Sequence, residues 1–130
     1  MEEAALDLQA YMARVGYSGP VAPTESVLCA LHRAQVFAIP FENLDIHLGR
    51  PIRLDAASLW AKLVNGQRGG YCYELNGLFL LVLRRLGFAV TCLAGRNLMN
   101  MRRASTHPRL TSVSPSIIRL RQAGAIPLCE

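Results

Sequence analysis

The large flat side chains of this chain stop at Phe88. All nine aromatic residues lie between Tyr11 and Phe88, and none follows in the rest of the 130-residue sequence. A core packed to ordinary density needs bulky apolar side chains, so any core must be built from the first two thirds of the chain. Charge divides the same way. Residues 1–74 carry six basic and eight acidic residues, whereas residues 75–130 carry eight arginines and a single acid, Glu130. The formal net charge of +5 is therefore a property of the second part. With 52% hydrophobic and 18% charged residues the sequence reads as globular rather than disordered, and its length suits one domain. The start is acidic and then amphipathic, unlike a secretory signal. The longest apolar stretch, Leu75 to Gly95, is cut by Arg84-Arg85, too early to span a membrane. These features predict a cytoplasmic chain with no transmembrane helix and no membrane partner, whose four cysteines stay reduced.

Apolar spacing predicts four helical segments. Leu8, Tyr11, Met12 and Val15 share a face and stop at Gly16. Thr24 can cap a second helix with Val27, Leu28, Leu31 and Ala34 inward, ending before Ile39 because Pro40 forbids continuation. Asp55 can cap a third, with Leu59, Trp60, Leu63 and Val64 inward and Asn65-Gly66 closing it. A glycine loop, Arg68-Gly69-Gly70, leads into a fourth from about Cys72 to Leu86, with Leu75, Leu78, Phe79 and Val82 at core spacing. Phe88 to Leu93 reads as one strand. Beyond Arg96, with prolines at 108, 115 and 127, no sustained period of either kind is found.

Cys72 is the residue most suited to chemistry. It follows a glycine loop and opens a helix, where unpaired backbone N–H groups and the positive end of the dipole stabilise a thiolate, and Arg68 adds positive charge nearby. The alternative is an inert thiol at a helix start. Gly69-Gly70 would let a substrate approach the backbone closely, or merely make a turn. A cysteine nucleophile usually works with a histidine base oriented by a carboxylate or amide. Of the three histidines, His32 sits in the second helix and reads as structural, and His47 falls in a loop. His107 could return to Cys72 from a later strand or loop, or be a solvated tail residue. The chain has three aspartates, Asp7, Asp45 and Asp55, and none follows Cys72.

Metal and nucleic-acid sites are not expected. Cys29 and His32 have ligand-like spacing but no second pair, so they read as a core thiol and a satisfied imidazole, and Cys92 reads as core. The tail arginines have no aromatic among them for base stacking and no helical stripe to organise them.

Two motifs carry a resemblance to a known family. Arg68-Gly69-Gly70-Tyr71-Cys72-Tyr73-Glu74-Leu75-Asn76-Gly77-Leu78-Phe79 resembles the active-site motif of the arylamine N-acetyltransferases, and Ile39-Pro40-Phe41-Glu42-Asn43-Leu44 resembles a second motif of that family. Tyr11 to Tyr17, followed by Leu31-His32-Arg33-Ala34, is also similar. The resemblance runs from about residue 7 to Arg96. It implies a mainly α chain: the N-terminal helical bundle of a cysteine-protease-like fold over residues 1–87, which carries the nucleophile, then the start of an incomplete β-barrel domain and an irregular basic tail over 88–130. It also implies that Cys72 takes an acetyl group from acetyl-coenzyme A, a co-substrate rather than a permanently bound cofactor, and passes it to an arylamine or hydrazine nitrogen by ping-pong kinetics. Phe41 would line the amine pocket, Arg68 and Glu42 would pair to hold the loop, and Glu74 and Asn76 would support the first turn of the helix.

The sequence also departs from the family. The aspartate of a full triad lies in an Asp-Val-Gly-Phe-Gly segment that this sequence does not contain. His107, in Thr106-His107 with Leu110, best resembles the histidine region. The loss of aspartates and aromatics together with the excess of arginine predicts a truncated or frame-disrupted member of weak or no activity. The alternative is a non-catalytic fragment or interaction module from a disrupted acetyltransferase gene.

Overall fold

The computed structural model describes residues 6–96 and 113–120. The chain is mainly helical, and its helices begin where side chains can satisfy free backbone N–H groups. Asp7 accepts from Gln9 N at 2.9 Å and opens α1 (Leu8–Val15), and Thr24 accepts from Val27 N to open α2 (Glu25–Ala38). A single turn, α3 (Leu44–His47), follows the Pro40-Phe41-Glu42 segment. Asp55 accepts from Ser58 N at 2.9 Å and opens α4 (Ala56–Trp60). The long α5 (Cys72–Arg85) carries Arg84 and Arg85 in its last turn, where the dipole favours cations. It ends at Gly87, whose φ of 89° a side chain would resist. The Phe88 N–H then donates back to the Leu83 carbonyl at 3.0 Å, which tucks Phe88 into the core.

The third helix departs from its expected form. α4 does not run regularly to Asn65 but widens after Trp60 into a π-helical turn over Ala61–Asn65, closed by Gly66 N on the Ala61 carbonyl at 2.8 Å. Such wide turns are uncommon and tend to occur at functional sites. Leu59, Trp60, Leu63 and Val64 are still buried, as their spacing predicts.

The core is one cluster between α1, α2, α4 with its π turn, and α5. Tyr11, Leu31, Leu59, Leu63, Leu78, Val82 and Leu83 are sealed from solvent. Tyr11 brings a hydroxyl into that cluster, and Gln35 answers it. The Tyr11 hydroxyl donates to Gln35 Oε1 at 2.8 Å, and Gln35 Nε2 donates to the Leu75 carbonyl at 3.1 Å, joining α1, α2 and α5. Burial pushes the Tyr11 phenol well above its ordinary range, so it stays a donor. Arg14 ties the helix ends together. Its guanidinium donates to the Ala38 carbonyl at 2.9 Å, the Leu63 carbonyl at 3.0 Å and the Gln67 carbonyl at 3.3 Å.

β1 (Val90–Arg96) starts two residues later than expected and pairs antiparallel with β2 (Val113–Leu120), and both strands lie against α5. β2 corrects the expectation of irregular chain throughout the tail. Pro115 obscured it, yet the proline falls where the register shifts, between the Leu93–Ile117 and Gly95–Ser114 pairs. A residue without an N–H is tolerated at such an irregularity. Three thiol and imidazole expectations also change. Cys92 is exposed rather than core, because a two-stranded ribbon has little with which to cover it. His32 is exposed, with its ring 5.7 Å from that of Phe79, and Cys29 is half-buried and disulfide-bonded rather than a reduced core thiol.

Candidate active site

The site is built on the backbone of two short segments that lie far apart in sequence. Phe41 and Gly70 form an isolated parallel bridge: Glu42 N donates to the Gly70 carbonyl at 2.9 Å, and Gly70 N donates to the Pro40 carbonyl at 3.2 Å. The two motifs singled out from sequence are thus one structural unit. Gly69 and Gly70 are both buried, and their lack of a side chain is what allows this approach. A Cβ on Gly69 would collide with the Pro40 carbonyl oxygen, and one on Gly70 would lie 2.8 Å from Glu74 Oε2.

Cys72 stands directly after this unit as the first residue of α5, half-buried. Glu74, 2% exposed, reaches back so that its Oε2 accepts the Tyr71 N–H at 3.0 Å, which fixes the Gly70–Tyr71 peptide one residue before Cys72. The Tyr71 and Tyr73 rings lie 5.4 Å apart, on either side of Cys72 in sequence. Burial, and then the charge of Glu74, holds the Tyr71 phenol above its ordinary range.

A chain of charges supports the unit from below. Arg68 donates to Asp45 Oδ1 at 2.9 Å and pairs with Glu42 Oε1 at 3.2 Å. Lys62 Nζ lies 2.7 Å from Asp45 Oδ2 and 2.6 Å from Glu74 Oε1. Arg50, largely in solvent, comes within 3.6 Å of Asp45. The Lys62 hydrogen bond, with Arg68 behind it, holds the Asp45 carboxyl below the usual aspartate range. Burial pulls the Lys62 ammonium down, but Asp45 and Glu74 together leave it above its ordinary value.

The sequence-derived candidates fall as follows. Arg68, Glu42, Gly69, Gly70 and Glu74 meet in one place beside the start of α5. Phe41 joins them through its backbone, while its side chain is 69% exposed. Asn76 is half-buried in the second turn of α5. His107 lies outside the described residues. Arg68 is engaged by two carboxylates, so it is not a free cation for a thiolate. Sequence reasoning missed Asp45 and Lys62. Asp45 offered one signal, an acid set among apolar neighbours, and Lys62 offered another, being the single lysine among 14 basic residues. Among the described residues no group of three His, Cys, Asp or Glu side chains is placed to hold a metal ion, and no helix is long and apolar enough to cross a membrane.

Known proteins share much of this sequence and its fold. The sequence profile of the N-acetyltransferase family matches residues 25–113. The chain is 52% identical over 89 residues to the arylamine N-acetyltransferase of Escherichia coli K12, covering 68% of this chain and 32% of that protein. It is 48% identical over 102 residues to the Salmonella typhimurium arylamine N-acetyltransferase / N-hydroxyarylamine O-acetyltransferase, covering 78% and 36%. The structure superposes on Mycobacterium marinum arylamine N-acetyltransferase in complex with CoA with a TM-score of 0.78 at 40% identity, over 91% of this chain and 42% of that one. The chain spans about one third of the length of the curated relatives it matches. On the family profile, these identities and the shared fold, the chain belongs to the arylamine N-acetyltransferase family.

Proposed function

We propose that this chain carries the acetyl-transfer chemistry of its family at Cys72. The observation that supports it most is the placing of that thiol at the first position of α5, directly after a glycine loop locked onto Pro40–Glu42. In this reading the Cys72 thiolate attacks the thioester carbonyl of acetyl-coenzyme A. A new C–S bond forms, the bond to the coenzyme A sulfur breaks, and coenzyme A leaves as its thiol after taking up a proton. An arylamine or hydrazine nitrogen then attacks the acetyl-cysteine, the Cys72 C–S bond breaks, and the proton lost by nitrogen passes to a base. His107 is proposed as that base, Phe41 as the apolar face for the amine, and Asn76 with Glu74 as support for the first turn of α5. Acetyl-coenzyme A acts as co-substrate, and the chain works in the cytoplasm. Residues 1–87 serve as the bundle that holds the nucleophile, and residues 88–130 as the start of a β domain with a basic tail.

The test is incubation with acetyl-coenzyme A followed by peptide mass spectrometry. The expected result is one acetyl group on Cys72, removed on addition of a simple arylamine and absent from Cys72→Ser. An unmodified Cys72 after long incubation would instead support a non-catalytic interaction module. The exposed Phe37, Phe41, Leu44 and Leu48 favour that second reading.

A further inference from the structure

We propose that Lys62 is a positioning residue for the Cys72 thiol: clamped between Asp45 and Glu74, it orients the carboxylate that holds the backbone at the start of α5 and keeps the buried acids there compensated. The inference rests on the reading of Cys72 as the nucleophile.

Lys62 acts on both ends of the loop that leads to Cys72. Its main-chain carbonyl, on the π turn, accepts the Arg68 N–H at 3.1 Å, where the loop begins. Its ammonium meets Glu74 Oε1 at 2.6 Å, past the point where the loop ends. Oε2 of the same carboxylate takes the Tyr71 N–H at 3.0 Å. A carboxylate is planar, so fixing one oxygen fixes the direction of the other. The path from Lys62 to Cys72 therefore runs through the Glu74 carboxylate, the Gly70–Tyr71 peptide and Tyr71 itself. The ammonium has three donors and is shared by two acids, Asp45 Oδ2 at 2.7 Å and Glu74 Oε1 at 2.6 Å.

The charges around Lys62 sharpen the point. The acids here are Glu42, Asp45 and Glu74, and the cations are Lys62, Arg68 and the outward Arg50. Arg68 is shared by Glu42 and Asp45, so among the described residues the ion pair of Glu74 is with Lys62. With a neutral residue at 62, Glu74 is left buried without a counter-charge two residues from the thiol. Buried negative charge opposes a thiolate, and an unheld Glu74 no longer fixes Tyr71.

The experiment follows iodoacetamide alkylation of the full chain as a function of pH, with Cys72 and the exposed Cys92 resolved by peptide mass spectrometry. In the wild type Cys72 is expected to react faster than Cys92 at pH 7. In Lys62→Met its rate should fall about tenfold at pH 7, with the pH profile moved upward by about one unit. Lys62→Arg, which keeps the charge, should stay within about threefold of the wild type, and Cys92 should be unaffected throughout. Because Lys62→Met strands two acids, the double variant Lys62→Met/Asp45→Asn is measured beside it. It removes the repulsion and should keep wild-type helical circular dichroism while Cys72 remains at least about threefold slow. Wild-type rates in Lys62→Met, full recovery in the double variant, or a Lys62→Arg as slow as Lys62→Met would each overturn the role of Lys62 and leave the nucleophile standing. A wild-type Cys72 no faster than Cys92 would overturn the nucleophile and this inference together.

Discussion

The bundle core and the shelf that carries Cys72 are held together by different forces. In the core, α1, α2, α4 and α5 meet through sealed apolar side chains such as Leu31, Leu63, Leu78 and Leu83. On the shelf, residues 40–45, 62 and 68–74 meet through a backbone bridge, five charged side chains and two glycines that leave no room for a Cβ. Apolar contacts are non-directional and tolerate a tenth of an ångström here or there, whereas ion pairs and N–H bonds fix directions. The molecule thus places its stability in one region and its aim in the other. That division predicts that stability and Cys72 reactivity can be damaged separately.

The largest effect should come from the core. Leu78 is fully buried at the centre of α5, and Leu78→Ala should lower unfolding stability by about 2–5 kcal/mol through lost transfer energy and the cavity left behind. Denaturant titration followed by circular dichroism measures it. A loss below about 1 kcal/mol would mean that the bundle can collapse around the gap and is not closely packed there.

A smaller effect, confined to acid, should come from the shelf. The Asp45 carboxyl titrates below its ordinary range because Lys62 and Arg68 hold its charged form. A group whose folded pKa is depressed adds stability that is fully present above its unfolded value, about 3.9, and is lost as pH falls through the lower folded value. The wild-type Tm should therefore hold at neutral pH and drop below about pH 4. In Asp45→Asn the drop should be shallower and the neutral Tm somewhat lower, while Leu78→Ala should keep the wild-type acid slope. Parallel acid slopes in the wild type and Asp45→Asn would show that the ion pairs contribute nothing to this transition.

The two regions were also unequally legible. Helical spacing placed Leu59, Leu63, Leu78 and Val82 inward and marked Thr24 and Asp55 as caps, because periodicity and capping are local properties of a sequence. The charge chain was only partly visible. Arg68 with Glu42 came from the resemblance, whereas Asp45 with Lys62, and Lys62 with Glu74, join residues 17 and 12 positions apart with no period to announce them. The π turn escaped for a related reason: the apolar pattern reads the same for either helix, and what selects the wider turn is the pairing of Ala61 with Gly66 and of Lys62 with Arg68. β2 was hidden by Pro115, which a strand accepts only at an irregularity of register that sequence does not reveal.

The smallest effect on stability separates the regions most cleanly. Phe41 belongs to the shelf by its backbone, but its ring is 69% exposed and contributes little to any packed surface. Phe41→Ala should therefore change unfolding stability by no more than about 0.5 kcal/mol. The proposed use of this exposed ring is contact with an aromatic amine. If so, Phe41→Ala should acquire the acetyl group on Cys72 at the wild-type rate and discharge it more slowly to an arylamine, with the loss concentrated in the amine concentration needed for half-maximal discharge. Offset stacking of two aromatic groups is worth about 0.5–1.5 kcal/mol, which corresponds to roughly a 2- to 12-fold rise in that concentration. Equal discharge by the two proteins would remove Phe41 from the acceptor side. Slower acetylation by acetyl-coenzyme A would place its ring on the donor side, with the backbone bridge to Gly70 as the means by which one residue serves both the shelf and the substrate.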